Sequence, residues 1–302
     1  MKQTILPLLA VISLLFSSAC VNTAAVSTAS SQAQTQVSSL QATPAASATA
    51  PSSSSAAAAE ILEIDTHEES SDYTWSEADE VLIDLQGSAI SAAGSGVMVE
   101  GATVFITAPG TYRLSGSLDD GQIVVQTDIE QPVRLILDGV SISNASSAAI
   151  DIEQADKVII ILAEGTTNTL SDGEKYTYAS ADVDVPNAAL FSKADLTISG
   201  SGTLSVSGNY ADAITSKDGL LIRDAHIEVS AADDGIRGKD YLVVENATLS
   251  VNAGGDALKS DNDDPEALGA VLIDASSLEI NADGDGISAE GAVQIKIGRA
   301  HV

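Results

Sequence analysis

Four aspartates recur in one register. Asp212, Asp234, Asp256 and Asp285 stand in Ala211-Asp212-Ala213-Ile214, Asp233-Asp234-Gly235-Ile236, Gly255-Asp256-Ala257-Leu258 and Gly284-Asp285-Gly286-Ile287, each two places before an apolar residue. If these segments stack as strands, the carboxylates come about 4.8 Å apart. Two bare charges at that spacing repel by about 0.9 kcal/mol in water and about 3.5 kcal/mol at an effective dielectric of 20. Such a column needs compensation. Calcium binds carboxylate oxygen at about 2.4 Å and can sit between two such groups. Asp233, Asp261, Asp263, Asp264 and Asp283 add oxygen donors near the same edge. The expectation is a calcium site drawn from Asp212, Asp233, Asp234, Asp256, Asp261, Asp263, Asp283 and Asp285. The plainer reading is a turn in which each Asp bonds local backbone, and the sequence leaves both open. Asp261-Asn262-Asp263-Asp264 lacks the Gly and distal Glu of an EF-hand loop.

Cations lie beside the acids. Lys217 and Lys239 are equivalent, three places after Ile214 and Ile236, and Arg237 and Lys259 are equivalent, one place after the apolar residue. They balance charge on a solvated face, or they line a groove where calcium, Lys and Arg together hold the carboxylates of an acidic polysaccharide. Arg suits bidentate contacts of that kind. Tyr210 and Tyr241 flank the same region and either stack on sugars or pack as rim aromatics. A lyase would use Lys217 or Lys239 as the base, with its pKa lowered towards the working pH. His67, His226 and His301 are scattered and form no catalytic or metal-binding spacing; His226 is expected on the surface.

What must position these groups is a repeat of about 22 residues. Leu196, Leu220, Leu242, Val271 and Val293 form one column, and Ile198, Ile222, Val244, Ile273 and Ile295 a second. Leu204, Ile227, Leu249 and Leu278 follow, then Val206, Val229, Val251 and Ile280, then Ile214, Ile236, Leu258 and Ile287. Columns two apart mean short strands with alternate residues inward. Fixed periods of this length mean stacked units that cannot bury their apolar faces alone. The pattern predicts an all-β solenoid, a parallel β-helix with side loops. Shorter strand-and-turn text from Val81 to Ile142 reads as its less regular first end. Glu164–Pro186 and Asp261–Glu266 read as loop excursions.

Composition sets further bounds. The chain has 302 residues, and all 43 acids lie from Glu60 onward with every base except Lys2. So acidic a domain excludes nucleic acid as a partner and argues against docking on anionic lipid. Aromatics make up only 3%, as a narrow interior of Val, Ile, Leu and Ala ladders requires. Residues 1–20 read as a secretory signal, with an apolar run from Ile5 to Phe16 too short to span a bilayer. Cys20, the sole cysteine, reads as a lipidation site, although Ser17 replaces the usual Leu; the alternative is ordinary cleavage near Ala19 or Ala25. Residues 21–60 are Ala, Ser, Thr and Gln with scattered Pro, a disordered stalk. The domain is placed at 61–295. Residues 296–302 depart from the pattern and read as a sequencing artefact, with further coils expected in the natural protein.

Two stretches carry a resemblance. Asp233-Asp234-Gly235-Ile236-Arg237-Gly238-Lys239-Asp240-Tyr241, followed by Gly254-Gly255-Asp256-Ala257-Leu258-Lys259-Ser260-Asp261, is one; Val133-Arg134-Leu135-Ile136-Leu137-Asp138-Gly139-Val140-Ser141-Ile142 is the other. Over about residues 80–295 the chain resembles the clostridial-type carbohydrate-binding domain family. The resemblance implies a secreted or surface-anchored, right-handed, single-stranded parallel β-helix. It also implies calcium binding and affinity for polygalacturonate and cellulose, on a fold similar to that of pectate lyases. The expected function is calcium-dependent binding of acidic plant cell-wall polysaccharide by a monomeric surface lipoprotein, touching the membrane only through its lipid. A calcium-dependent pectate lyase and a structural adhesin or spacer are the alternatives.

Overall fold

The computed structural model describes residues 62–178, 185–264 and 268–296. The signal, Cys20 and the whole of the stalk lie outside the described residues, as do 297–302. Every apolar column pairs as its register requires. Leu196, Leu220, Leu242, Val271 and Val293 are successive parallel partners. So are Leu204, Ile227, Leu249 and Leu278, and Ile214, Ile236, Leu258 and Ile287. The chain is all-β, with two short 3-10 turns and no α-helix among the described residues.

Two largely parallel sheets result, one of 15 strands and one of nine. The larger has two arms. One runs through Lys157–Leu162, Asp195–Ser199, Gly219–Arg223, Tyr241–Glu245, Ala270–Asp274 and Val293–Lys296; the other through Thr167–Ser171, Thr203–Gly208, His226–Ala231, Thr248–Ala253 and Ser277–Ala282. The long strand Val133–Ser143 joins them, its first half pairing with Lys157–Leu162 and its second with Thr167–Ser171. The smaller sheet carries Asp212–Ser216, Ile236–Gly238, Leu258–Ser260 and Ile287–Ala289. The inward Leu, Ile and Val of all these strands form one continuous buried cluster. Each repeat thus covers the apolar face of the next, and burial at about 25 cal/mol per Å² sets the register.

The first end is irregular, as expected. Val81–Gly87 pairs antiparallel with Ala89–Ala92, and Val97–Glu100 antiparallel with Thr103–Ile106. A register shift falls between Leu114 and Gly116. Gly116 has φ +89°, and a Cβ there would lie 2.2 Å from the carbonyl oxygen of Leu85, so only glycine fits.

Two features differ from expectation. The excursion placed at Glu164–Pro186 begins later, because Thr167–Ser171 is a strand with Leu170 fully buried in the core. Its Thr-Asn-Thr text hid it, since the inward Asn168 is polar: that buried amide accepts the N–H of both Gly139 (2.9 Å) and Val140 (3.0 Å) from the middle of the strand Val133–Ser143. The second feature is a strap. Residues 62–80 run across the outer surface of the larger sheet. Ile64 packs on Leu221, Tyr241, Val243 and Leu272, which face away from the core. The Leu62 N–H donates to Gln294, and Arg134 reaches the carbonyls of Ser71 and Asp72. Lys157 donates to buried Asp72 and to the carbonyl of His67.

Candidate functional site

The aspartate column forms at the corner where each repeat enters the smaller sheet. Its carboxylates point along the stack. Asp234 donates its backbone N–H to Asp212 Oδ1 (3.2 Å), Asp256 to Asp234 Oδ1 (2.9 Å), and Asp285 to Asp256 Oδ1 (2.8 Å). The second oxygens are also engaged. Asp212 Oδ2 accepts from the Asn187 amide (2.6 Å) and the Thr215 hydroxyl (2.9 Å). Lys259 Nζ lies 2.8 Å from Asp234 Oδ2 and 3.2 Å from Asp256 Oδ2, bridging two repeats.

The compensation that the column requires is therefore largely built in. Backbone amides, an amide side chain, a hydroxyl and one ammonium supply it. Electrostatics follow the depth of each group. Burial pushes the Asp212 carboxyl up to about 6, against the pull of the Thr215 hydrogen bond. Asp256 is also partly buried, yet the Asp285 N–H and Lys259 outweigh that and hold it below the usual carboxylate range. Lys259 feels desolvation, but its bonds to Asp234 and Asp256 raise it well above an ordinary lysine.

A calcium ion needs six to eight oxygens. Asp212 and Asp234 have both oxygens committed to protein donors. Among the described residues no three His, Cys, Asp or Glu side chains gather in metal-holding geometry. Open oxygen lies further up the column. Asp233, Asp283 and Asp285 are exposed. Gly255 packs tightly beside the column: a Cβ there would fall 2.5 Å from Asp233 Oδ1 and 2.7 Å from Asp234 Oδ1. Asp261 pairs with Arg237 (2.7 Å), and Asp263 is exposed.

The predicted cations separate. Thr215, Arg237, Lys259 and Ser288 form one register row across the smaller sheet. Lys217 and Lys239 sit at the far end of the same strands, in the turns towards Gly219 and Tyr241. The Lys217 ammonium lies 5.8 Å from the centre of the Phe191 ring. A second acidic column, which the sequence reading missed, stands at that far corner: Asp195, Asp218 and Asp240. Burial, then Asp195 and Asp240, push Asp218 up to about 6.

The two tyrosines part company. Tyr241 is buried, which corrects its assignment to sugar stacking. Its hydroxyl lies 2.5 Å from His67 Nδ1 and accepts the His67 backbone N–H (3.0 Å), while Ile64 packs on its surroundings. The strap covers it, and nothing in its local sequence signals a segment folded back from 174 residues away. His67 was missed for the same reason; its Nε2 lies 2.8 Å from Thr197 Oγ1, and Asp195 flanks its Nδ1 at 3.1 Å. His226 is exposed, as expected. Tyr210 is exposed and stacks on Tyr176, with ring centres 4.3 Å apart and planes 18° apart. Tyr178 meets Tyr210 edge-on at 6.5 Å. The Tyr176 hydroxyl sits between Asp172 Oδ2 (2.7 Å) and the Ala188 carbonyl (2.9 Å), and Tyr178 donates to the Pro186 carbonyl. The three rings make a shelf beside Asp212, the first member of the column, and its hydrogen-bond partner Asn187.

An all-β repeat stack with an acidic corner and an aromatic shelf defines a class of extended surfaces suited to chain-like ligands. Comparison narrows it. Residues 100–302 match the family model described as carbohydrate-binding domain-containing protein, and the chain belongs to that family. A carbohydrate-binding domain-containing protein of Acetivibrio thermocellus is 42% identical over 136 residues, which are 45% of this chain and 48% of the relative. The match thus spans about half the relative's length. A solved structure, a polysaccharide lyase-like protein from C. thermocellum in its gadolinium derivative, is similar with a TM-score of 0.63 and 30% identity. The similarity covers 72% of this chain and 97% of that one.

Proposed function

We propose that the chain is a polysaccharide-binding module that holds an extended glycan along the corner formed by the tyrosine shelf and the aspartate column. The observation that carries this reading is the shelf itself. Tyr210 and Tyr178 are exposed, the ring beneath them is pinned through its hydroxyl, and polar groups stand alongside. Aromatic faces take the C–H side of a sugar, and a fixed ring loses little freedom on binding. Family membership supports the ligand class.

The finer reading is also proposed. The sheet registers support a right-handed parallel β-helix as the scaffold. An acidic glycan such as polygalacturonate can approach this corner only if a cation offsets like charge. Calcium would supply that offset at the open end of the column, on the exposed carboxylates of Asp233, Asp283 and Asp285. The exposed oxygens of those three residues support it, as does the relative's gadolinium derivative, since gadolinium and calcium are both hard, oxygen-seeking cations. The apolar run and Cys20 support an exported chain held at a bacterial surface by lipid. The relative's lyase-like character keeps the alternative of a lyase with Lys217 or Lys239 as base.

Retention on immobilised polygalacturonate, with and without chelator, tests the reading alongside absorbance of unsaturated uronides. Calcium-dependent retention with flat absorbance is expected. Rising absorbance would replace the module with a lyase. Failure to retain any glycan would sink the reading.

A further inference from the structure

A second cleft lies where the strap crosses the larger sheet. Its volume is about 360 Å³, within the range of small-ligand sites. Tyr73 and Trp75 come from the strap, and Ile161, Ser199, Gly200, Arg223 and Asp224 from the sheet and its turns. None of these residues belongs to the aspartate column.

The two aromatic rings are held by their polar tips. The Tyr73 hydroxyl donates to Glu68 Oε1 (2.6 Å), and the Trp75 indole N–H to Glu80 Oε1 (2.8 Å). Glu80 is fixed in turn by Arg113, at 2.7 Å and 3.0 Å. The ring faces, not their polar atoms, are therefore what the cleft offers. Trp75 keeps 37% of its surface exposed although it is pinned. Burial of an exposed indole face is the strongest apolar gain that the cleft can give a ligand. Ser199 and Asp224 place polar groups at the edge.

Charge selects among sugars. The Arg223 guanidinium is engaged by Glu68 (2.7 Å) and by Glu245. Asp224 and Glu80 add further carboxylates around the cleft. A uronate would meet this acid excess without a free cation to answer it, whereas a neutral hexose has only hydroxyls to satisfy.

We propose that this cleft seats an uncharged sugar residue of a polysaccharide, with Trp75 and Tyr73 against its C–H face and Arg223, Asp224 and Ser199 at its hydroxyl edge. The proposal rests on the reading of the chain as a polysaccharide-binding module and adds a second, charge-distinct site to it. It also gives the strap a task, since the aromatic wall exists only when the strap is docked.

Trp75 is the only tryptophan in the chain, so its emission reports on this cleft alone. Cellohexaose titrated into the full chain is expected to change that emission saturably, with hexagalacturonate at least tenfold weaker. On affinity gels containing hydroxyethylcellulose, Trp75→Ala is expected to lose at least tenfold in retention. Trp75→Phe is expected to recover most of it, both variants melting within a few degrees of the parent. No response to cellohexaose, an equal response to hexagalacturonate, or undiminished retention of Trp75→Ala would each overturn the proposal. If the parent chain is held by neither cellulosic nor galacturonate gels, the module reading itself falls. If the parent is held and Trp75→Ala is held equally, only this cleft falls.

Discussion

Lys157 reaches out of its strand to the buried carboxylate of Asp72, 2.9 Å away, and through that contact fastens the strap to the sheet 85 residues on. Asp72 is fully buried and Lys157 nearly so. Removing one partner strands the other charge in a poor solvent, which costs about 3–5 kcal/mol. Asp72→Asn or Lys157→Met is therefore expected to lower the urea midpoint by a corresponding amount. The paired variant is expected to recover part of the loss, because both charges then disappear together. A double variant no better than the worse single would show that packing, not charge, dominates here. Loosening of the strap is also expected to red-shift Trp75 emission, since Trp75 lies three residues beyond Asp72.

Asn168 gives a simpler case. Asn168 is fully buried, and its Oδ1 accepts two backbone N–H groups, those of Gly139 and Val140 in the strand Val133–Ser143. Asn168→Leu fits the inward column in size but leaves both donors unanswered, at about 1–3 kcal/mol each. The expected result is a less stable chain despite a more apolar core, read by calorimetric melting. A neutral or stabilising outcome would mean that water replaces the amide.

These two cases mark what the sequence exposes. The repeat is legible because the stacked parallel strands reuse one chemical rule in every unit: inward positions are apolar, and a slip of one residue would turn them all outward. Leu220, Leu242 and Val271 declare their neighbours without any structure. Asn168 breaks the rule and hides its strand. The strap is less legible still. Ile64, His67 and Asp72 have no period, and their partners Tyr241, Thr197 and Lys157 lie far along the chain. Leu221, Val243 and Leu272 do carry a signal: apolar residues on the outward face of a strand must be covered by something. The register of the aspartate column was legible, but the partners of its carboxylates were left open. Whether a carboxylate meets a metal, a backbone N–H or Lys259 depends on rotamers, and spacing leaves these open.

Lys259 makes that last point testable. It stands between Asp234 and Asp256, where the column would otherwise place two carboxylates with no cation. Lys259→Met keeps the stem length and removes the charge. The variant is expected to lose about 1–3 kcal/mol, more at low salt than at high. Calcium is expected to raise its melting temperature more than that of the parent chain, because an emptied cation position invites a replacement. Equal calcium responses in the two proteins would separate any metal site from Lys259.

The pH dependence follows from three buried acids. Burial first, then the neighbouring charge of Glu153, pushes the Asp151 carboxyl up to about 7. Its Oδ1 has no hydrogen-bond partner among the described residues. Asp212 and Asp218 are pushed up to about 6, chiefly by burial. An unfolded Asp titrates near 3.9. A native pKa above that value means that the folded chain holds its proton more tightly. The stability so contributed is complete below about pH 4 and is lost as pH rises through 6 and 7. Glu80 and Asp256 act oppositely. Hydrogen bonds from Arg113 depress Glu80, and the Asp285 N–H and Lys259 depress Asp256 despite its burial. Their contribution is present above about pH 4 and is lost as pH falls below it. The two groups together place the stability maximum at mildly acidic pH, about 4 to 5. Melting temperatures measured from pH 3 to 8 are expected to peak there and decline towards 8. Asp151→Asn removes the costliest of the three, on the order of a few kcal/mol, and is expected to flatten the upper half of the profile while leaving the acid limb unchanged. A parent profile that rises steadily to pH 8 would mean that these carboxyls are not buried as the stack places them.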